Sequence, residues 1–175
     1  LMELFHSKTR NMVRKSQKSG FIVAHSEDES VLKTLYTLHT ENLQSIGGRS
    51  KPWPVFSAMR DTFRYNDEYR IYCAEYDGQI IAALLLFYYN KTVEYFTPAV
   101  RVDFRSKQPM SLLIFEAMCD ACKAGFKYWN WGGTWLTQEG VYLFKKRWGA
   151  ENLPYRYYIR EQNQYADLRH RNKST

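Results

Sequence analysis

One continuous phrase, Phe126 to Ala150, limits what this chain can become, because it reads as strand, glycine turn, short helix and glycine stop without a gap. Phe126 to Trp131 is aromatic enough for a buried strand, and Gly132-Gly133 breaks it where backbone must turn sharply or approach something closely. A site opens at such a break, which makes Gly132 and Gly133 candidate substrate contacts. Thr137 or Gln138 caps the following helix through Val141, Tyr142, Phe144 and Lys145. Cationic Lys146 and Arg147 with a C′ glycine, Gly149, end it.

The preceding chain supplies the scaffold. Leu4, Phe5, Met12 and Val13 give helical spacing from Glu3 to Ser19, stopped by Gly20, and Phe21 to Ala24 forms a short strand. Ser26 and Glu29 predict a capping box for a helix with apolar rows through Val31, Leu35 and Leu38 and through Leu32, Tyr36, His39 and Leu43. Ile46 to Pro54, with two glycines and two prolines, reads as a loop whose Trp53 is a candidate substrate contact. Val55, Phe56, Met59 and Phe63 predict a second amphipathic helix. Arg70–Tyr76, Gln79–Tyr89 and Thr92–Thr97 then form an antiparallel meander through Asp77-Gly78, a strong hairpin signal, and the weaker Asn90-Lys91. After the basic loop from Arg101, Pro109 opens an apolar helix to Gly125 that crosses over to the Phe126 strand. A last strand is expected over Pro154 to Ile159. Residues 1–161 read as one domain and 162–175 as a polar tail that frays.

Composition narrows the function classes. Hydrophobic content of 45% with 17% aromatics excludes a disordered segment. No apolar run approaches the roughly 20 residues of a membrane span. The 25 basic and 18 acidic residues give a net charge of +7 and favour polyanionic partners: nucleic acid, nucleotide phosphates or acidic headgroups. The basic first helix, with Arg14, either tracks phosphates or is a solvated face. Arg101, Arg105 and Lys107 precede a helix N-terminus, where free N–H groups and the dipole favour an anion. Three cysteines suggest no disulfide framework and a reducing cytoplasm. Cys119 and Cys122 have CxxC spacing but lie inside a helix and read as core residues, and no histidine has ligand or triad spacing, so no metal is expected.

The order of elements, with the stretches TRNMVRKSQKSG, YDGQIIAALLLF, YWNWGG and above all GVYLFKKRWGAE, resembles the GNAT acyltransferase fold in its FemAB-type branch. The resemblance implies an α+β fold, a mixed, mostly antiparallel sheet flanked by helices. It covers about Thr9 to Tyr158 and matches the second of two GNAT-like lobes, which leaves a first, N-terminal lobe as an expected partner. It also implies acyl transfer, most directly of an aminoacyl group from aminoacyl-tRNA to an amine on a phosphate-bearing cell-envelope or polysaccharide precursor. The setting implied is cytoplasmic, extending to the inner membrane surface. A CoA-dependent N-acyltransferase and a non-catalytic binding lobe are the alternatives.

By the same resemblance, Phe144 and Lys145 handle the acyl donor, with Tyr142 beside them, and Glu94 falls where GNAT enzymes place a base. GNAT enzymes commonly keep a tyrosine where this chain has Lys145. An ammonium there could stabilise the oxyanion of an ester's tetrahedral intermediate, or only offset the helix dipole. No glycine lies between Val100 and Pro109, where GNAT enzymes cradle the CoA pyrophosphate, so the arginines become the expected anion contacts. No cofactor beyond the acyl donor, aminoacyl-tRNA or acyl-CoA, is expected.

Overall fold

A computed structural model describes residues 1–135, 137–154 and 156. Its elements are α1 (Ser7–Gln17), β1 (Ile22–His25), α2 (Glu29–Gln44), α3 (Trp53–Thr62), β2 (Tyr69–Tyr76), β3 (Gln79–Tyr89), β4 (Thr92–Val100), α4 (Pro109–Lys123), β5 (Tyr128–Asn130) and α5 (Glu139–Arg147). The sheet runs β1-β2-β3-β4-β5, antiparallel until β5, which joins β4 in parallel after the α4 crossover. This is the α+β, mostly antiparallel architecture expected. The strand expected over Pro154 to Ile159 and the tail lie largely or wholly outside the described residues.

Strand alternation sends two sets of side chains to opposite faces. Tyr72, Ala74, Leu84, Leu86, Tyr88 and Val93 share one core with Val13 of α1 and Leu113, Ile114 and Ala117 of α4. Ile71, Cys73, Ala83 and Leu85 pack on Leu32, Leu35, Leu38, Phe56 and Met59 of α2 and α3. Asp77 and Gly78 both take positive φ, 49° and 73°, the paired left-handed turn that matches strand twist. Asn90 and Lys91, at 45° and 63°, make the same turn.

Several expectations need correction. The first helix begins at Ser7, because His6 caps it: its Nδ1 accepts from the Lys8 N–H at 3.2 Å. The Ser26–Glu29 box does not form. Ser26 instead exchanges hydrogen bonds with Asp28, the N-cap residue, and Glu29 turns to Lys33 and Arg60. Trp53 and Pro54 belong to α3, since proline suits a first turn. β4 runs on to Val100, and the stretch after Arg101 winds into a 3-10 helix over Val102–Lys107. The Phe126 strand shortens to three residues, Tyr128 and Asn130 exposed and Trp129 half-buried, followed by the buried Trp131. Of the three cysteines only Cys73 is buried; Cys119 is half-buried and Cys122 exposed on the outer side of α4.

Candidate active site

The sheet splits where β4 and β5 part. Their pairing covers Thr92↔Tyr128, Val93↔Trp129 and Glu94↔Asn130, while β4 continues to Val100. The β3–β4 register shifts between Leu85 and Leu86, with Thr97 opposite Leu85 and Tyr95 opposite Leu86, so Phe96 is an extra, bulged residue just past the split. On the β5 side the chain turns away at Gly132, whose φ of +66° side chains rarely adopt. Space there is not the constraint, because an added Cβ would meet only Glu94 Oε1, at an ordinary 3.6 Å. Asn130 holds the turn: its Oδ1 accepts from the Gly132 N–H at 2.9 Å.

Lys145 reaches this turn from α5. Its Nζ donates to Gly132 O at 3.0 Å, Gly133 O at 2.9 Å and Thr134 Oγ1 at 2.8 Å. Three partners use all three ammonium donors. The Thr134 hydroxyl accepts here, so its own hydrogen remains to be donated outward, polarised by the cation behind it. Burial lowers the Lys145 pKa, against the opposing pull of the Glu94 charge. Burial likewise raises that of Glu94, offset in part by a hydrogen bond from Asn130 and by Lys145. The two are not in ion-pair contact, yet each lies in the other's field. The cluster therefore offers a carboxylate raised toward proton acceptance, a polarised hydroxyl and a half-desolvated cation around one glycine turn.

Four sequence candidates, Lys145, Glu94, Gly132 and Gly133, thus come together. The others do not join them. Phe144 is wedged edge-on between Trp131 and Trp148, at 5.7 and 6.3 Å, as part of the core. Tyr142 is exposed under Lys146 Nζ, 5.9 Å from its ring centroid. Arg101 Nη1 donates to Gln79 Oε1 at 3.0 Å, and Lys107 Nζ lies 4.6 Å from the Tyr76 ring, both at the β2–β3 hairpin; Arg105 is exposed. Along β4 that end lies roughly 20 Å from Glu94 at strand rise. Arg14 is exposed on α1, and Trp53 packs on Tyr36 with Lys33 over its ring, between α2 and α3.

Thr134 and Asn130 escaped the sequence reading. Asn130 had a local signal, an Asn two residues before a glycine. Thr134 had none, since its role depends on an α5 side chain arriving from eleven residues away. Among the described residues no three His, Cys, Asp or Glu side chains stand together as metal ligands, and no helix is long and apolar enough to cross a membrane.

The family model for the acetyltransferase (GNAT) domain matches residues 5–149, most of the chain. The chain belongs to the GNAT acetyltransferase-domain family. No curated protein matches it by sequence. The solved structure of FemX superposes on this GNAT domain with a TM-score of 0.78 at 18% identity, over 85% of this chain and 55% of FemX. The domain thus spans little more than half of FemX. An aminoglycoside N-acetyltransferase in complex with CoA gives 0.62 at 15% identity, over 81% of this chain and 95% of its own. An aminoglycoside acetyltransferase from an uncultured soil metagenomic sample, in complex with sisomicin, gives 0.60 at 12%, over 83% and 99%. At these identities the likeness is one of fold, and it agrees with the GNAT architecture that the sequence resembles.

Proposed function

We propose that this domain transfers an acyl group, most directly an aminoacyl group from aminoacyl-tRNA, to a primary amine of a cell-envelope or polysaccharide precursor. The observation that carries the reading is the Lys145–Thr134–Glu94 cluster at the β4–β5 split. The amine attacks the donor carbonyl, a C–N bond forms, and the carbonyl oxygen gains negative charge. Thr134 Oγ donates to that oxygen, backed by the Lys145 ammonium. Glu94 accepts the proton that the amine releases, which a carboxylate of raised pKa does more readily. The C–O bond to the tRNA ribose then breaks, and the proton passes to the leaving oxygen.

Three things support the tRNA ester over a thioester: the FemAB-type resemblance, the similarity to FemX, and the glycine-free stretch before Pro109. Arg101 and Arg105 would meet the donor's phosphates at the far end of β4, a distance that suits an extended, nucleotide-bearing donor. A second reading, a lobe that binds without catalysis, draws on the full saturation of the Lys145 donors by the chain itself. Donor binding separates the possibilities. Titration with charged tRNA at stated salt and with acetyl-CoA should give tighter binding for the tRNA. Tight acetyl-CoA binding with none for charged tRNA would overturn the donor assignment.

A further inference from the structure

Glu94 does not stand alone on its face of the sheet. It pairs across the strands with Phe87, and the bulged Phe96, two residues further along, meets the same Phe87 ring. Phe87 and Phe96 lie 5.0 Å apart in edge-to-face contact, and Phe63, at the end of α3, lies 4.9 Å from Phe87. Phe63 and Phe96 remain 38% and 40% exposed while Phe87 packs on the core behind them, so the outer rings form an open shelf. Lys51, on the segment before α3, places its Nζ 5.3 Å from the Phe96 ring centroid. Among the described residues it is in no ion pair. A carboxylate and an ammonium therefore flank one aromatic row.

We propose that this shelf is the acceptor subsite and that the acceptor is zwitterionic. It would carry a primary ammonium directed to Glu94 and an anionic group directed to Lys51, joined by a span whose apolar or sugar-ring face lies on Phe96 and Phe87. This rests on the reading of Glu94 as the proton acceptor and adds the class of molecule that delivers the amine. Aromatic faces suit the span, because they offer large, rigid area at small entropic cost. An exposed cation–π contact is weak, so Lys51 can leave the ring for an anion with little loss. A neutral amine acceptor would leave that cation without an acceptor of its charge.

The test is binding of small probes to the 175-residue chain, read by calorimetry or ligand-detected NMR at low, fixed salt. The probes are glucosamine 6-phosphate, glucosamine, glucose 6-phosphate and 6-aminohexanoate. Glucosamine 6-phosphate or 6-aminohexanoate should bind at least about fivefold tighter than glucosamine, and the tighter of the two identifies the anion as phosphate or carboxylate. Lys51→Ala, at an exposed position with no fold to support, should bring that probe down to the glucosamine level. Phe96→Leu should weaken glucosamine and the zwitterion alike. Equal affinity for zwitterion and glucosamine, or a preference that survives Lys51→Ala, would overturn the proposal. Glu94→Gln separates it from the underlying reading: lost amine affinity supports the ammonium end and unchanged amine affinity overturns it, whereas turnover that survives Glu94→Gln while the Lys51-dependent anion preference persists overturns only the role of Glu94 as proton acceptor.

Discussion

Lys145→Ala, with Lys146→Ala as its control, is the most discriminating perturbation. The two residues lie about 100° apart on one helix end. Removing either takes one positive charge from the α5 C-terminus, so an effect through the helix dipole would make them alike. Only Lys145 holds Gly132 O, Gly133 O and Thr134 Oγ1; Lys146 contacts solvent and the Tyr142 ring. A charge-assisted hydrogen bond contributes roughly 1.5–3 kcal/mol when its acceptor is buried. Here the two carbonyls lie on exposed glycines where water replaces the ammonium, so the total loss should be only about 1–2 kcal/mol. For a domain of this length that lowers Tm by roughly 3–6 °C. Turnover is a separate quantity. If Lys145 backs the hydroxyl that meets the oxyanion, Lys145→Ala should cost about 10²-fold or more in kcat, with donor affinity changed much less. The assay is acyl transfer by the protein that carries this domain, well below both Tm values, with fraction folded checked by circular dichroism. Equal turnover for Lys145→Ala and Lys146→Ala, with Tm lowered only in Lys145→Ala, would refute the catalytic argument and leave Lys145 as a clamp on the glycine turn.

Thr134→Val keeps the shape but removes both the acceptor and the donated hydrogen, and should lower kcat by about 10-fold or more, whereas Thr134→Ser should retain most activity; equal rates in both would remove Thr134 from the chemistry. Glu94 has a pKa raised by burial, so the folded state favours its proton: its contribution is most favourable below the ordinary carboxylate value and is lost as pH rises through the raised one. Glu94→Gln should therefore raise Tm at neutral pH by more than at pH near 4, while abolishing the acidic limb of the kcat/KM profile; a Tm gain that is the same at both pH values would contradict the burial argument. Arg101→Ala with Arg105→Ala should weaken binding of charged tRNA and reduce its salt slope by about 1–2. An unchanged slope would return that stretch to solvent.

Local chemistry made the scaffold legible. Asp77-Gly78 and the glycine at 149 take left-handed geometry that few residues tolerate, and Pro109 is preset for a first helical turn, so each is legible from its neighbours alone. The failures share a different cause. Three acidic residues follow Ser26, and it pairs with Asp28 because a serine hydroxyl that accepts the N–H two residues on closes with little chain to order. Cys122 keeps helical spacing with buried neighbours yet points outward, since periodicity assigns a stripe but not its width. Phe144 is implied as a donor contact because sequence cannot report that Trp131 and Trp148 already pack against its ring. The bulge at Phe96 and the grip of Lys145 on the glycine turn arise only when β3, β5 and α5 are assembled, and they are what separate a site from a strand end.

The opposed pKa shifts of Glu94 and Lys145 carry one further step. A structural ion pair closes to contact, and attraction then moves each partner away from neutrality. Here both move toward neutrality, because burial outweighs the attraction of a partner held beyond ion-pair distance. Holding an acid and a base partly desolvated and out of contact carries an electrostatic cost, set against the hydrogen bonds that Lys145 gives the glycine turn, and such arrangements cluster at functional sites. The tetrahedral adduct of an amine with an ester is itself zwitterionic, an oxyanion beside an ammonium. On the proposed reading its oxyanion would meet the polarised Thr134–Lys145 pair and its ammonium would meet Glu94. Binding that adduct would relieve the electrostatic cost that the free protein carries, so the interaction is stronger in the transition state than in the resting site, the condition under which a fixed charge accelerates a reaction.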